Sequence, residues 1–387
     1  MEKIYNYTET ETRNSSLETT GDFLDLKIIS EGKEPYAKSI KRDQENVSVN
    51  CIVLLEDSKE FNAENGSYNL DVLGLKMYEY VVKACPETPV LIHFDHEKQT
   101  VADVIKPFLR EAEYTLVLFS DTPLITKKNI LNILDFVKTK GLNVCPLTRG
   151  YVFKTDYIRR VDEIYSPSVY YFDEEDFMMA LSYRQLYLIT EMLKNRIVDF
   201  HSQNGVYFKD PSSLYIEANV TIGKGTVVGS FVSLSGDTVV GENVKIGNNS
   251  ELKNAKVGND AEICGAYLDG AYVYSSCKIA RGAKLCSQTA IKDNSSIMED
   301  TIISNAIIGE NSKIGKNNVI NFLMAKDKVS IASSCHIMGS QEKPVTMEEG
   351  SSVGDMVTIF GGVKLIENQK VMPGEVIKIC EAGEDND

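Results

Sequence analysis

The sequence lacks the features that mark membrane and secreted proteins. No stretch approaches the roughly 18 consecutive apolar residues that a membrane-spanning helix requires, so we expect no membrane insertion. The N-terminus begins Met1-Glu2-Lys3 and has no apolar signal-peptide core. Together these absences predict a cytoplasmic protein.

Positive charge and clustered metal ligands are also scarce. The chain has 41 lysine and arginine residues against 56 aspartate and glutamate residues, a net charge of −15. This excess of negative charge argues against nucleic acid or an anionic membrane as a partner. The eight cysteines never form the C-x-x-C spacing of a zinc ribbon or a redox pair. The close pair His93 and His96 lacks a third ligand nearby in the sequence, which argues against a metal site there.

The C-terminal half repeats an aliphatic residue every six positions. The step holds from Ile222 to Leu252, from Ile279 to Ile297 and from Ile308 to Ile320. A glycine often follows the aliphatic residue, as in Ile222-Gly223 and Ile314-Gly315. A period of six fits neither an α-helix nor an isolated strand.

A triangular coil explains this period. Three short strands per turn each point one aliphatic side chain inward, a small residue occupies each corner, and successive coils pair in parallel at about 4.8 Å. The pattern predicts a left-handed parallel β-helix of hexapeptide repeats from about Leu214 to about Val376, with about nine coils. We interpret the steps of five at Leu252–Val257 and Leu268–Val273 as shortened corners. Such prisms often associate side by side, so we expect a homotrimer.

The N-terminal half reads as a different domain. Residues 1–47 are polar and form an N-terminal extension, and residues 48–173 then alternate between strand and helix. This order predicts a mostly parallel sheet with helices on both faces. A linking helix over residues 174–204, the β-helix over residues 205–380 and an acidic tail over residues 381–387 complete the predicted organisation.

The predicted elements of the sheet domain share strong apolar patterning. The strands are Cys51–Leu55, Pro89–Phe94, Thr115–Phe119, Asn143–Leu147 and Tyr151–Lys154, and the helices are Leu73–Ala84, Val101–Arg110 with a kink at Pro107, and Lys128–Lys138.

Two loops at the carboxyl ends of predicted strands are candidate ligand sites. The first, Glu56-Asp57-Ser58-Lys59-Glu60, has three carboxylates and no glycine. A phosphate needs backbone N–H donors and positive charge, so we expect this loop to repel nucleotide phosphates. In the second loop, Ser120–Leu124, Asp121 either holds Mg²⁺ or caps the turn before Pro123, and its position alone does not decide between them.

The order of sheet domain, long helix and β-helix resembles that of the sugar-nucleotide pyrophosphorylases. Three segments are similar to the bacterial bifunctional enzyme that acetylates glucosamine-1-phosphate and then uridylylates it. Phe119–Leu124 resembles its Y-G-D-V-P-L, Gly74–Val81 resembles its G-K-P-M-V-Q-H-V, and Gly205–Pro211 resembles its domain junction. The resemblance spans roughly residues 50–375 and implies an α/β nucleotidyltransferase-like (Rossmann-like) domain, truncated here, followed by the left-handed β-helix.

The resemblance implies a uridylyltransferase site, and this sequence departs from it. In the family's loop L-A-A-G-x-G-T-R-M, the two glycines are replaced by Glu56 and Ser58 and the arginine by Glu60. The nucleotide-binding positions are therefore degenerate. The family's Mg²⁺-binding aspartate matches Asp121, and its sugar-side motif E-x-N-T-G keeps only Gly150 as a substrate-binding candidate.

Two more positions of that site differ as well. The lysine of the family's L-P-K is replaced by Ser67, and the asparagine that partners the metal-binding aspartate is replaced by Ser182 or Tyr183. Mg²⁺ at Asp121 would thus lack its second protein ligand.

The implied acetyltransferase site is altered too. Its catalytic histidine is replaced by Lys316 and the arginine of R-L-R-P-G by Cys286. A solvated lysine is protonated near neutral pH and is a poor general base, which argues against the use of acetyl-CoA. His336, beside the expected active-site loop, is a second candidate base, although a corner or interface position accounts for it more readily.

Two functional hypotheses follow. The first is a catalytically degenerate relative that acts as a scaffold, regulatory subunit or sugar-nucleotide sensor in envelope-sugar metabolism, alone as a homotrimer or in a mixed assembly with an active paralogue. The second is an active transferase with non-standard residues, either an acetyltransferase that uses His336 or a nucleotidyltransferase that uses Asp121.

Overall fold

A computed structural model describes residues 48–379, apart from residues 62, 65, 167–169, 171 and 173. The expectations for residues 1–47 and 381–387 therefore lie outside the described residues. The chain divides into two compact units, and the boundary falls between Arg196 and Ile197. Each unit is described by itself.

The unit that ends at Arg196 is built on a five-stranded mixed sheet. Its strands run in the order β4-β1-β5-β7-β6, and a separate short hairpin pairs β2 with β3. The strands are β1 Val49–Glu56, β2 Asp71–Val72, β3 Leu75–Lys76, β4 Val90–Phe94, β5 Tyr114–Phe119, β6 Val144–Leu147 and β7 Gly150–Lys154.

One strand runs against the expected parallel direction. β1 pairs in parallel with β4 and β5, but β7 is antiparallel to both β5 and β6. The cause is a two-residue turn, Thr148-Arg149, which joins β6 directly to β7 without a crossover helix. Gly150 begins β7 opposite Leu118, near the end of β5. This turn therefore lies at the carboxyl edge of the parallel strands.

Helices cover both faces of this sheet, as the sequence predicts. They are α1 Met77–Ala84, α2 Val101–Ile105, α3 Lys127–Lys140 and α4 Thr155–Ile158, with 3₁₀ turns at Ser67–Asn69 and Lys106–Phe108. A fifth helix, α5 Tyr183–Gln203, contains the boundary between the two units. α1 and α3 pack with one set of alternate strand residues, and α2 and α4 pack with the other set. Alternation along the strands thus builds two apolar layers.

The start of α1 and the end of α2 differ from the predicted bounds for local reasons. α1 begins at Met77 and not at Leu73, because Leu73 and Gly74 adopt positive φ angles of 49° and 81° in the hairpin before it. α2 gives way to a 3₁₀ turn at Lys106, one residue before Pro107.

The linking helix also starts later than predicted. It begins at Tyr183, whereas residues 174–177 form a turn. The Ser182 hydroxyl accepts a hydrogen bond from the Gln185 backbone N–H at 3.4 Å and donates one to the Gln185 side chain at 3.1 Å. This cap fixes the start of α5.

The second unit is a parallel β-helix with three faces. The first face has ten strands: Tyr207–Phe208, Val227–Val228, Lys245–Ile246, Glu262–Ile263, Lys278–Ile279, Ser296–Ile297, Lys313–Ile314, Ser330–Ile331, Ser352–Val353 and Lys370–Val371. The second face also has ten: Tyr215–Ile216, Ser233–Ser235, Glu251–Lys253, Tyr267–Asp269, Lys284–Cys286, Ile302–Ser304, Val319–Asn321, His336–Met338, Thr358–Phe360 and Val376–Ile377. The third has nine: Thr221–Ile222, Val239–Val240, Lys256–Val257, Tyr272–Val273, Ala290–Ile291, Ile307–Ile308, Leu323–Ala325, Val345–Met347 and Lys364–Leu365.

The six-residue period corresponds to the inner columns of this prism. On the second face, Leu234, Leu252 and Leu268 stack in register, and each is fully buried. The shortened corners do not disturb the columns, because Val257 and Val273 still pair directly across adjacent coils. The predicted fold class, an α/β domain followed by a hexapeptide β-helix, is confirmed.

Close approach of the coils explains the glycine after the aliphatic residue. A Cβ atom added to Gly309 would lie 2.3 Å from the backbone of Lys326 in the next coil, and one added to Gly315 would lie 2.7 Å from Ala332. A larger residue would push the coils apart at these corners. The described residues contain no helix long and apolar enough to cross a bilayer.

His201, in the last turn of α5, is buried without a partner for its Nδ1 atom among the described residues. Burial lowers the pKa of His201 to about 4, against an opposing hydrogen bond with the Val220 backbone. The neutral ring is thus part of the packing where the β-helix begins.

We predict that His201→Gln makes stability less dependent on pH. As the pH falls below about 6.5, the unfolded chain protonates this histidine and the folded chain does not, so stability present above that pH is lost as the pH falls towards 4. The loss from this group is about 2 kcal/mol at about pH 5. Urea unfolding at about pH 5 and at a pH above about 6.5 measures this loss. The control is His336→Gln, which changes an exposed histidine. An equal pH dependence in wild type and His201→Gln would contradict the prediction.

Candidate functional site

The candidate site lies where strands β1, β4 and β5 end. Leu54 pairs with Phe119 and Leu55 pairs with His93, so Glu56, the residues after Phe94 and Asp121 all leave the same edge of the sheet. The turn between β6 and β7 brings Arg149 to this edge. The topology therefore collects one arginine and several acids at one place.

Arg149 is the centre of an ion-pair cluster. Its Nε atom donates to both Asp121 carboxylate oxygens at 3.2 and 3.1 Å, and its Nη2 atom donates to Asp121 Oδ2 at 2.8 Å. The same Nη2 atom also donates to Glu56 Oε2. Glu56 Oε1 in turn lies 2.5 Å from His96 Nδ1. The guanidinium carbon stands 4.0 Å from the centre of the Phe119 ring, a cation–π contact.

The cluster is largely withdrawn from solvent. The side chains of Asp121, Glu56 and Arg149 are 6%, 10% and 24% exposed, whereas His96 is 66% exposed. Burial raises the pKa of Asp121, and the hydrogen bonds and charge of Arg149 oppose that rise. Burial acts to lower the pKa of Arg149, but Asp121 and Glu56 outweigh it and raise that pKa. The arginine thus stays charged between two acids.

The loop after β1 uses its hydrogen-bonding groups internally. The Ser58 backbone N–H donates to Ser67 Oγ at 2.9 Å, and the Ser67 N–H donates to Asp57 Oδ1 at 2.7 Å. The Ser58 hydroxyl donates to the Leu181 carbonyl at 3.1 Å. A phosphate held here would have to displace these bonds and face the Asp57 and Glu56 carboxylates.

A cleft of about 1270 Å³ opens beside this loop. Its walls include the aromatic rings of Tyr68 and Tyr78 and the acids Asp57, Glu64 and Asp95. The cleft has room for a small molecule, but its acidic wall is unfavourable for phosphate groups.

Mg²⁺ does not fit the residues around Asp121. Mg²⁺ takes six oxygen ligands at about 2.0–2.1 Å, whereas both Asp121 oxygens are bonded to a guanidinium group. The positions aligned with the second ligand are also engaged: Ser182 caps α5, and the Tyr183 ring packs edge-on against Phe61 at 4.9 Å. Among the described residues, no group of three histidine, cysteine, aspartate or glutamate side chains is arranged to hold a metal.

The remaining predicted residues of the sheet domain have structural explanations. Gly150 has a φ of +135°, and a Cβ there would lie 2.4 Å from the Val117 carbonyl oxygen. Glycine is therefore required at this position by strand packing alone. Glu60 is exposed and has no hydrogen bond to the Arg149 cluster. His93 contacts the Tyr68 hydroxyl at 3.4 Å, so the two histidines serve different partners.

The β-helix positions lie on neighbouring coils. The Ser334 N–H donates to the Lys316 carbonyl at 2.8 Å, and His336 follows two residues later. Lys316 Nζ is 3.4 Å from Glu299 Oε2, and His336 is exposed on the second face between Val319 and Thr358. The Lys316 amine is thus paired with a carboxylate and is not aimed at a reacting group, and among the described residues no ion pair holds the His336 ring.

Sequence reasoning missed Arg149 and the role of His96. Arg149 was visible only as a residue that fails to match the sugar-side motif. A search for a cation near three strand ends that each carry an acid, at Glu56, Asp95 and Asp121, would have found it. That search needs the antiparallel β6–β7 hairpin, which the predicted parallel sheet did not contain.

Comparison with known proteins agrees with this architecture. The family model described as bacterial transferase hexapeptide (six repeats) matches residues 219–254. The bifunctional protein GlmU of Thermodesulfovibrio yellowstonii is 24% identical over 65% of this chain and 56% of its own length. GlmU of Thermotoga petrophila is 23% identical over 79% of this chain and 83% of its own length. GlmU of Alkaliphilus metalliredigens is 30% identical over 48% of this chain and 45% of its own length.

Two solved structures show a low overall similarity to this chain. PerB from Caulobacter crescentus, in complex with CoA and GDP-perosamine, is 11% identical over 67% of this chain and 88% of its own, with a TM-score of 0.24. LpxA, a UDP-N-acetylglucosamine acyltransferase from Bacteroides fragilis, is 19% identical over 43% of this chain and 69% of its own, with a TM-score of 0.23.

Fold and repeats define a hexapeptide-repeat protein that joins an α/β sheet domain to a β-helix. Within that class, the chain is similar to the bifunctional GlmU proteins.

We predict that Arg149→Ala destabilises the protein by about 3 kcal/mol, because removal of one partner leaves two buried carboxylates uncompensated. Urea unfolding measures the change. Arg149→Lys keeps the charge but loses the forked geometry, so its free energy of unfolding should lie between those of wild type and Arg149→Ala. The matched control is Arg159→Ala, which removes an exposed guanidinium bonded to the Leu109 and Arg110 carbonyls and should change stability by about 0.5 kcal/mol or less. Equal stability of Arg149→Ala and wild type would contradict the prediction.

Proposed function

We propose that this chain is a catalytically degenerate GlmU-like protein. It acts as a scaffold, regulatory subunit or sugar-nucleotide sensor in envelope-sugar metabolism. Its relatives form a family of sugar-nucleotide transferases, and the proposal concerns what this member does with that fold.

The internal bonding of the loop after β1 carries the proposal. Nucleotidyl transfer depends on positioning phosphates with N–H donors and cations. Here the Ser58 and Ser67 N–H groups are bonded within the loop, and Glu56, Asp57 and Glu60 make it negative. Uridine triphosphate would have to replace these bonds and overcome repulsion from the carboxylates.

The β-helix supports the same proposal. Lys316 is paired with Glu299, and Cys286 lies on the second face in register with Asp269 and Ser304. Acetyl transfer needs a base oriented towards an amine, and neither of these residues provides one. His336 remains the candidate for the alternative, an active acetyltransferase, because it is exposed on that face.

Homotrimer formation through the β-helix is part of the proposal. The outer side of the second face exposes apolar residues in register across neighbouring coils. They fall in two columns: Ile302 pairs with Val319 in one, which continues through His336 and Thr358 to Val376, and Met338 pairs with Phe360 in the other. The five apolar side chains, Ile302, Val319, Met338, Phe360 and Val376, are each about 40% exposed. Contiguous exposed apolar groups favour burial against another protein surface. A second and a third copy, or an active paralogue with a matching prism, fit such a face.

Binding and turnover measurements test the proposed loss of activity. Thermal shifts with uridine triphosphate, UDP-N-acetylglucosamine and acetyl-CoA, each with Mg²⁺, report ligands that bind the folded chain. We expect no shift with uridine triphosphate or acetyl-CoA and no release of pyrophosphate or CoA. A shift with UDP-N-acetylglucosamine alone would identify the sensor role.

Two variants make that test specific. A turnover of uridine triphosphate that Asp121→Asn abolishes would contradict the proposal for the sheet domain. Acetyl transfer by wild type that is abolished in His336→Ala would establish the alternative function, an active acetyltransferase. The control for nonspecific loss of structure is His201→Gln, which changes a buried histidine.

We predict that the purified chain has three times the mass of one 43.1 kDa chain in light scattering. The double variant Val319→Glu, Phe360→Glu places charges on the exposed apolar face and should reduce the mass to that of one chain. The matched double variant Lys245→Glu, Lys313→Glu changes the first face and should leave the assembly intact. A monomeric wild type would contradict the proposed homotrimer.

A further inference from the structure

We propose that Arg149 is a built-in cation that takes the place of a divalent metal between Glu56 and Asp121. The wild-type sheet domain accordingly binds no Mg²⁺ or Mn²⁺ at these carboxylates. This inference rests on the geometry of the cluster and not on the proposed function, because a protein with or without catalysis could hold its acids in this way.

The guanidinium group satisfies the carboxylates as a metal would, but with directional N–H donors. Arg149 uses Nε and Nη2 on Asp121, at 2.8–3.2 Å, and shares Nη2 with Glu56. Arginine is suited to this role because its planar fork matches a carboxylate and is only weakly hydrated. The Phe119 ring beneath it, 4.0 Å away, adds a surface that favours a cation and excludes water.

The position of Arg149 is fixed by the backbone and not by a flexible loop. The two-residue turn Thr148-Arg149 is held by the pairing of Leu147 with Gly150 and by the close contact of Gly150 with Val117. A metal ion would have to expel this side chain from a mostly buried site. Expulsion would leave the guanidinium group without its carboxylate partners, which is unfavourable in a region of low dielectric.

Removal of the arginine should expose a latent metal site. Without Arg149, the carboxylates of Glu56 and Asp121 repel each other across the vacated position, and His96 already lies 2.5 Å from Glu56. Two carboxylates and an imidazole are a suitable donor set for Mn²⁺. With Arg149 in place, no three such ligands among the described residues are arranged around a common point, and we expect that arrangement to form only when the arginine is removed.

Mn²⁺ binding to the full chain tests this inference. The fraction of free Mn²⁺ is measured by electron paramagnetic resonance for wild type, Asp121→Asn, Arg149→Leu and Arg159→Leu. Arg159→Leu removes the same charge from the exposed surface and controls for general attraction of cations by an acidic protein. Wild type, Asp121→Asn and Arg159→Leu should bind equal amounts, whereas Arg149→Leu should bind about one additional ion per chain.

The comparison of wild type with Asp121→Asn decides the matter even if Arg149→Leu fails to fold. If wild type binds one ion more than Asp121→Asn, the carboxylate holds metal in the presence of Arg149 and the inference is overturned. If Arg149→Leu folds and binds no extra ion, or if Arg159→Leu gains the same ion, it is overturned as well. Folding of Arg149→Leu that is restored by Mn²⁺ and not by an equal concentration of Na⁺ would support it.

Discussion

Parallel pairing between successive coils is the constraint on which the β-helix depends. Every coil hydrogen-bonds to the coils above and below it, so each inner position must hold a side chain that stacks on its neighbours. Leu234, Leu252 and Leu268 meet this demand with almost no exposed surface. The corners must admit close backbone approach, which accounts for Gly309 and Gly315. Outward positions face no such demand, so a β-helix of this shape is compatible with many different outer surfaces.

The sheet domain divides in the same way between constrained and unconstrained positions. Its strands are locked by two apolar layers, one with α1 and α3 and the other with α2 and α4. The strand ends are free to carry different chemistry because they leave the core. Here they carry Glu56 and Asp121, and both of these acids accept hydrogen bonds from Arg149. The same fold is therefore physically compatible with different chemistry at its strand ends.

The sequence was sufficient for the fold because its signals are periodic. The step of six located the inner columns, and strand–helix alternation located the two apolar layers of the sheet domain. It predicted the strand Tyr151–Lys154 but not the antiparallel direction of that strand, since the turn at Thr148-Arg149 contains none of the glycine or asparagine residues that predict a tight hairpin. It also placed the start of the last helix at residue 174, because apolar spacing that includes Phe177 begins before the true cap at Ser182.

The candidate site was harder to predict because it depends on that hairpin. From sequence alone, Asp121 had two roles open to it, a metal ligand or a cap, and Glu56 was only a charge that repels phosphate. Both readings treated the acids as unpaired. The antiparallel strand changes this, since it returns Arg149 to the strand ends and supplies the missing positive charge. Arg149, which is distant in sequence, therefore determines the ion pairing of both Glu56 and Asp121.

The electrostatics of this cluster also explain why the replacements in the loop must be considered together. Glu56 in place of a glycine adds a second buried negative charge beside Asp121, and two such carboxylates would repel each other strongly. A divalent ion could balance them only if phosphates or water completed its coordination, and the bonded loop after β1 leaves little access for phosphate. A guanidinium group needs no such additional ligands. It balances most of the charge, fills the space with a planar side chain and stacks on Phe119. Given Glu56 at the end of β1, we expect an internal arginine to balance these acids with fewer additional ligands than a bound metal ion would need.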